Sequence, residues 1–447
     1  MAMETPARKS LKCCPLGKIR MLYLTWGEVI VRNGIFRNQV VEQLRLTSQS
    51  SDSLELHLLS GMPLVNMKLL KDPSAFWRDV SAFYKKLDAE GIRFSVRMIP
   101  AVSAWFYSKR WQFPLYRWFN MGYLKRYVRR YGIDILHCRS YQATYFALLV
   151  RKKYRLSYKV IFDTRGLFPE EGLIKHAYRA GDGNFVHCKQ VEQYCFSHAD
   201  AIVNVSETFS EYVRTITDNP NIHTIYTSTN LELFHHDKEL GRATRAELGV
   251  REGEKVLTYL GDVRTSGWHQ VANLVRLFKA FAAVYPVSRL LIITEQDHEG
   301  LVTNMAKYGL GAEHLLIRAG KGQARINALL NASDFGCLPF RNVENEVERL
   351  LGYTMIASKT GEYLAAGLPV ISNQAVGAAS ALIRQERIGV TYAEEGDVLH
   401  FDHTLWQEKG FSDEVRERAV QVAHTLFNAK ENAERYVDIY RELTCLP

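Results

Sequence analysis

No apolar run in the 447 residues reaches the roughly 18 residues that a membrane-spanning helix needs. Basic residues precede Ile19 without an apolar core among them, so a secretory signal is not expected. The 7 cysteines, of which only Cys13 and Cys14 adjoin, form neither a disulfide framework nor a zinc pattern, which fits a reducing cytosol. No Gly-x-Gly-x-x-Gly follows the first predicted strand, so a dinucleotide fingerprint is missing, and without a Walker sequence ATP hydrolysis has no support. The spacings Asp-x-Asp and His-Glu-x-x-His do not occur near Glu344, Glu346 and Glu348, so these read as a solvated face and not as metal ligands. No internal repeat and no low-complexity tract occurs.

What is present is ordinary for a soluble chain of two or three domains: 47% hydrophobic and 23% charged residues. The formal charge of +9 favours an anionic partner, whether phosphate, nucleic acid or an anionic membrane surface. From Ile19 short apolar strands alternate with amphipathic helices, at 19–25, 54–60, 92–99, 134–138, 158–163 and 199–205. Residues 226–248 are polar. A second alternation follows, at 255–263, 289–294, 314–320, 332–340 and 368–372. Such alternation predicts α/β architecture with parallel sheets, here two Rossmann-like halves with a cleft between them. The expected boundaries are a tail at 1–17, a first domain at 18–228, a second at 229–405, and terminal helices at 406–447.

Ligands of open α/β sheets bind at the carboxyl ends of strands. One glycine turn there holds Gly34, flanked by Arg32 and Arg37. The other, residues 260–269, places Gly261 at the strand end and Gly267 before a helix start whose free amides suit a phosphate, with Arg264 between them. In the first half His137 and Arg139 follow one strand, and Asp163 and Arg165 the next. Asp163 reads as the partner that fixes the loop; Arg165 is the better candidate to touch a donor phosphate or an acceptor oxygen.

Residues 359–373, KTGEYLAAGLPVISN, carry the strongest signal. A helix of strong formers ends at Gly367, suited to a left-handed cap, Pro369 follows where it no longer interrupts, and Val370–Ile371 start a buried strand. This stretch resembles the donor-site signature of family-four retaining glycosyltransferases, which have the GT-B fold. The resemblance implies two Rossmann-like domains facing across a cleft and a C-terminal helix crossing back to the first. It implies a metal-independent reaction with no cofactor, the nucleotide-sugar being a substrate. By the same resemblance Glu362 binds the ribose hydroxyls, Arg264 faces the donor diphosphate, Arg318 and Ala319 lie along the base, and His137 or Arg139 stands near the reacting sugar. Lys359 joins the donor set. The family's second glutamate, eight residues earlier, is Thr354 here.

Residues 104–132 interleave aromatic rings with Lys109, Arg110, Arg117, Lys125, Arg126, Arg129 and Arg130, without an acidic residue. A peripheral contact with an anionic membrane is the expectation, as in relatives acting on lipid-linked or polysaccharide acceptors, with the protein cytoplasmic and on the inner face of the cytoplasmic membrane. A buried helix with snorkelling arginines, or a nucleic-acid stacking surface, are the other readings of that stretch. For the chain as a whole the alternatives are a sugar-nucleotide epimerase of GT-B fold and a nucleic-acid-binding protein.

Overall fold

In the computed structural model the described residues are 17–29, 37–102, 112–396, 398–402 and 413–445. The predicted tail at 1–17, the Gly34 turn with Arg32, and residues 104–111 of the aromatic-basic stretch therefore lie outside them, apart from Gly17.

Seven strands build the first sheet: β1 (Ile19–Trp26), β2 (Leu54–Val65), β3 (Arg93–Val102), β4 (Ile135–Arg139), β5 (Lys159–Asp163), β6 (Ala201–Asn204) and β7 (Ile222–Thr224). Their order is β3-β2-β1-β4-β5-β6-β7, with every pairing parallel. The central strands read as apolar runs because both faces are covered; all of β4 and most of β5 are buried. The strand order reverses between β1 and β4, which opens a crevice at their carboxyl ends.

The second sheet repeats the plan with β8 (Lys255–Leu260), β9 (Ser288–Ile293), β10 (Leu315–Arg318), β11 (Phe335–Leu338), β12 (Val370–Asn373), β13 (Gly389–Glu395) and β14 (Val398–Phe401). Its order is β10-β9-β8-β11-β12-β13-β14, and only β14 is antiparallel to its neighbour. The sequence did not lead to β7, β13 or β14: β7 has three residues, and the last two form a hairpin whose glutamates break the apolar run.

The chain passes between the domains twice, and the two passages are bonded to each other. The Thr229 amide donates to the Phe427 carbonyl at 2.7 Å, and the Ala429 amide to the Thr229 carbonyl at 3.0 Å. Asn432 Nδ2 adds bonds of 3.1 Å to the Tyr226 carbonyl and to Ser228 Oγ. After the second passage the helix Ala429–Cys445 lies on the first domain, where Tyr436, Val437, Ile439, Tyr440 and Leu443 share one apolar core with Met21, Tyr23, Leu44 and Ile135.

The helix Lys359–Ala365 presses on this double passage. A Cβ at Gly361 would lie 2.3 Å from Thr229 Oγ1 and 2.8 Å from the Phe427 ring, so only glycine permits the approach. Gly367 caps the helix as the sequence predicts: its φ is +73°, its amide donates to the Leu364 carbonyl at 2.9 Å, and the Leu368 amide to the Tyr363 carbonyl at 2.9 Å.

Candidate functional site

Alternation along β4 sends Leu136 and Cys138 to one face and Ile135 and His137 to the other. His137 therefore lies under the crossing helix, with no exposed surface. Its ring sits 4.5 Å from that of Tyr23 and 5.1 Å from that of Tyr436. Nδ1 is 2.7 Å from Tyr440 Oη and Nε2 is 3.3 Å from Asp163 Oδ2. Burial lowers the pKa of the imidazole against the opposing pull of Asp163, so it stays neutral. The structure places His137 behind the cleft wall, where it reaches the cleft only through Asp163.

Asp163 ends β5 beside Arg139 of β4. Burial works to raise its carboxyl, but Arg165, with His137 and Arg139, outweighs burial and brings the pKa down to about 2. Arg165 Nε donates to Asp163 Oδ2 at 2.8 Å, and Arg165 Nη2 to Gln43 Oε1 at 3.3 Å. The backbone is unusual here: Arg165 has φ +63° and Ser140, after β4, has φ +66°, a region that non-glycine residues rarely adopt. Arg139 turns away from Arg165, donating from Nε to Glu28 Oε2 at 3.3 Å and from Nη2 to Gln39 Oε1 at 2.9 Å. Gln39 and Gln43 are four residues apart on one helical face, which is how a single element orients both arginines.

Across the cleft, Tyr363 fixes the helix that carries Lys359 and Glu362. Its hydroxyl accepts from the Leu260 amide at 2.8 Å and donates to the Cys337 carbonyl at 3.3 Å, tying the helix to β8 and β11. These are the two strands between which the second sheet reverses its order. Lys359 Nζ lies 4.2 Å from the centre of the Tyr259 ring, and a Cβ on Gly261 (φ +114°) would be 3.2 Å from it. Burial lowers the Lys359 pKa to about 8. Burial raises that of Glu362 to about 7, with Lys359 as the opposing influence. Among the described residues the Glu362 carboxylate takes part in no hydrogen bond. It lines a polar cavity of ≈ 340 Å³ between the domains, with Gln43, Thr229, Asn230 and Gln323.

The structure thus brings Gly261, Lys359 and Glu362 together, and sets Arg165 opposite through Gln43. Arg264 stands apart, its side chain 72% exposed and 3.5 Å from Asp262. Arg318, at the end of β10, turns its guanidinium back to the Ile317 carbonyl at 2.9 Å. The expected solvated face of three glutamates holds for Glu344 and Glu346, but Glu348 is buried against Arg341, whose guanidinium lies 5.4 Å from the Trp268 ring centre. Sequence reasoning missed Gln43 and Tyr440. Both are single polar residues on apolar helix faces, and only the packing of distant segments reveals their partners.

Thr354, in place of the family's glutamate, is buried and donates to the Leu350 and Leu351 carbonyls at 3.2 Å each. Its carbonyl accepts from Ser206 Oγ at 2.9 Å, a direct bond between the domains.

Residues 63–233 match the family model described as Glycosyltransferase Family 4. The fold is similar to that of sucrose-phosphate synthase from Thermosynechococcus elongatus, with TM-score 0.64 and 14% identity over 96% of this chain and 99% of that one. It is similar to a glycosyltransferase from Rickettsia africae, with TM-score 0.61 and 15% identity over 96% and 100%. The HepE protein of Anabaena in complex with UDP has TM-score 0.63 and 13% identity over 95% and 100%. No curated protein sequence matches the chain. At these identities the solved structures establish the fold, which is GT-B, and the family model is matched by residues 63–233 of the 447.

Proposed function

We propose that this protein moves a sugar from a nucleotide-sugar donor to an acceptor hydroxyl, with retention at the anomeric carbon and without a bound metal or other cofactor. One anomeric C–O bond breaks, one forms, the nucleoside diphosphate leaves with the bonding pair, and the proton of the acceptor hydroxyl passes to the departing diphosphate oxygen. The observation that carries this reading is Glu362: a carboxylate with no hydrogen bond among the described residues, in a polar cavity between two GT-B domains, three residues from Lys359. The ribose hydroxyls donate to Glu362, and Lys359 with the Gly261 turn meets the diphosphate. The base lies toward Arg318, and Arg264 joins the diphosphate only by swinging in from solvent. Structures of the similar HepE protein with UDP, and with UDP-glucose, support a donor of this class.

For the acceptor we favour a lipid-linked or polysaccharide hydroxyl at the inner face of the cytoplasmic membrane. Arg126, Arg129 and Arg130 are exposed on the helix Gln112–Tyr131, where they can meet anionic headgroups. No helix among the described residues is long and apolar enough to cross a membrane.

The test is a calorimetric titration of nucleoside diphosphates into the parent and into Glu362→Ala. Hydrogen bonds to a charged group contribute about 1.5–3 kcal/mol, so the variant should bind roughly ten- to a hundredfold more weakly. Equal affinity in the two proteins would remove Glu362 from the donor site.

A further inference from the structure

A second cavity between the domains, of ≈ 230 Å³, differs in character from the one that holds Glu362. Leu167, Val205, Trp268, Leu351, Met355 and Ile356 form most of its wall. Its charged and hydroxyl-bearing side chains each have at least one protein partner. Glu171 and Lys175 pair with each other at 3.0 Å, and Thr354 spends its hydroxyl on backbone carbonyls. Arg165 is bound to Asp163 and Gln43 through Nε and Nη2, and among the described residues its Nη1 takes part in no hydrogen bond.

Arg165 lines this apolar cavity, and its hydrogen-bond partner Gln43 lines the polar one. One hydrogen bond thus links the linings of the two spaces. A polyhydroxylated ring lying against the apolar wall would lose water from each hydroxyl and find partners only for those that reach Arg165, Glu171, Lys175 or the Trp268 indole, an unmatched hydroxyl losing roughly ten- to a hundredfold in affinity. An apolar group would lose nothing, and a single hydroxyl beside Arg165 would still find Nη1.

Resting on the glycosyltransferase reading, we propose that this cavity holds the apolar part of the acceptor: a hydrocarbon or aryl group next to the hydroxyl that takes the sugar. Arg165 Nη1 donates to that hydroxyl oxygen, and the donor occupies the other space. The replacement of a glutamate by Thr354, followed by Met355 and Ile356, is what makes this wall apolar.

The probes are octyl β-glucoside, kept below its micelle concentration, and methyl β-glucoside, which differ only in the apolar group. Binding is read from tryptophan fluorescence, since Trp268 lines the space. In the parent the octyl compound should bind at least tenfold more tightly. Ile356→Trp and, separately, Leu351→Phe fill the cavity and should each abolish that preference, while a nucleoside diphosphate still protects either variant against heat. Equal binding of the two glucosides by the parent overturns the proposal, and so does a preference that survives in both filled variants. Glu362→Ala should keep the octyl preference and bind the diphosphate roughly ten- to a hundredfold more weakly; this separates failure of the cavity assignment from failure of the donor-site reading.

Discussion

The Tyr440 hydroxyl and Nδ1 of His137 are 2.7 Å apart although 303 residues separate them in sequence. The ionised Asp163 on the other side of the ring can only accept, so Nε2 carries the proton and Nδ1 accepts from Tyr440. The crossing helix, His137, Asp163 and Arg165 form one chain of hydrogen bonds from the back of the first sheet to the cleft.

Tyr440→Phe keeps the ring packing and removes the donor, leaving a buried Nδ1 without a partner. The expected loss is about 1–3 kcal/mol, measured by urea unfolding of the variant against the parent. An unchanged midpoint would show that this bond contributes nothing.

Arg165→Ala leaves the buried Asp163 charge without its main partner. Removing one member of such a pair destabilises by about 3–5 kcal/mol when burial is complete, and by less here because Arg165 borders a cavity. The pH dependence has a definite sign. Asp163 is depressed from 3.8 to about 2, so the parent's stabilisation is present above pH 3.8 and lost as pH falls through about 2. Acid titration monitored by circular dichroism should show that step in the parent and lose it in the variant.

Glu362 and Lys359 give diphosphate binding a narrow optimum. Glu362 must be ionised to accept the ribose hydroxyls and titrates at about 7; Lys359 must be protonated and titrates at about 8. Affinity measured by calorimetry should peak between these values and fall on both sides. Without ligand the sign reverses for stability. A carboxyl raised above its unfolded pKa of 4.5 destabilises the fold increasingly as pH rises towards about 7, so Glu362→Gln should raise Tm more at pH 8 than at pH 5.

Gly361→Ala puts a methyl group against Thr229 and Phe427 at the junction of the two passages. Overpacking of this kind costs about 1–3 kcal/mol, to be read as a lowered Tm. The helix displacement should also weaken diphosphate binding, because Glu362 is the next residue.

The membrane reading is tested by reversing charge at Arg126, Arg129 and Arg130 together. Flotation with anionic vesicles should weaken, since each basic residue near such a surface contributes about 1 kcal/mol, while diphosphate affinity stays the same. Undiminished flotation would place the contact elsewhere.

The sheets were legible because strands buried on both faces leave apolar runs that nothing polar interrupts, as in 158–163 and 289–294. The cap at Gly367 was legible because a left-handed residue followed by proline has few other uses. What the sequence could not show was which face of a short strand a residue takes. His137 and Cys138 are neighbours in β4, yet one meets the crossing helix and the other the opposite core. Nor could it show that Gln43 orients Arg165, since that depends on packing between segments over a hundred residues apart.

The shared core of the first sheet and residues 436–443 has a consequence for synthesis. Those residues leave the ribosome only after the whole second domain, so the back of the first sheet stays uncovered while that domain is being made. At about 5–20 residues per second, the roughly 200 residues that follow the first domain take on the order of 10–40 s. For that time Met21, Tyr23 and Ile135 face water or a chaperone, and the nascent first domain is finished only by a helix made after the second.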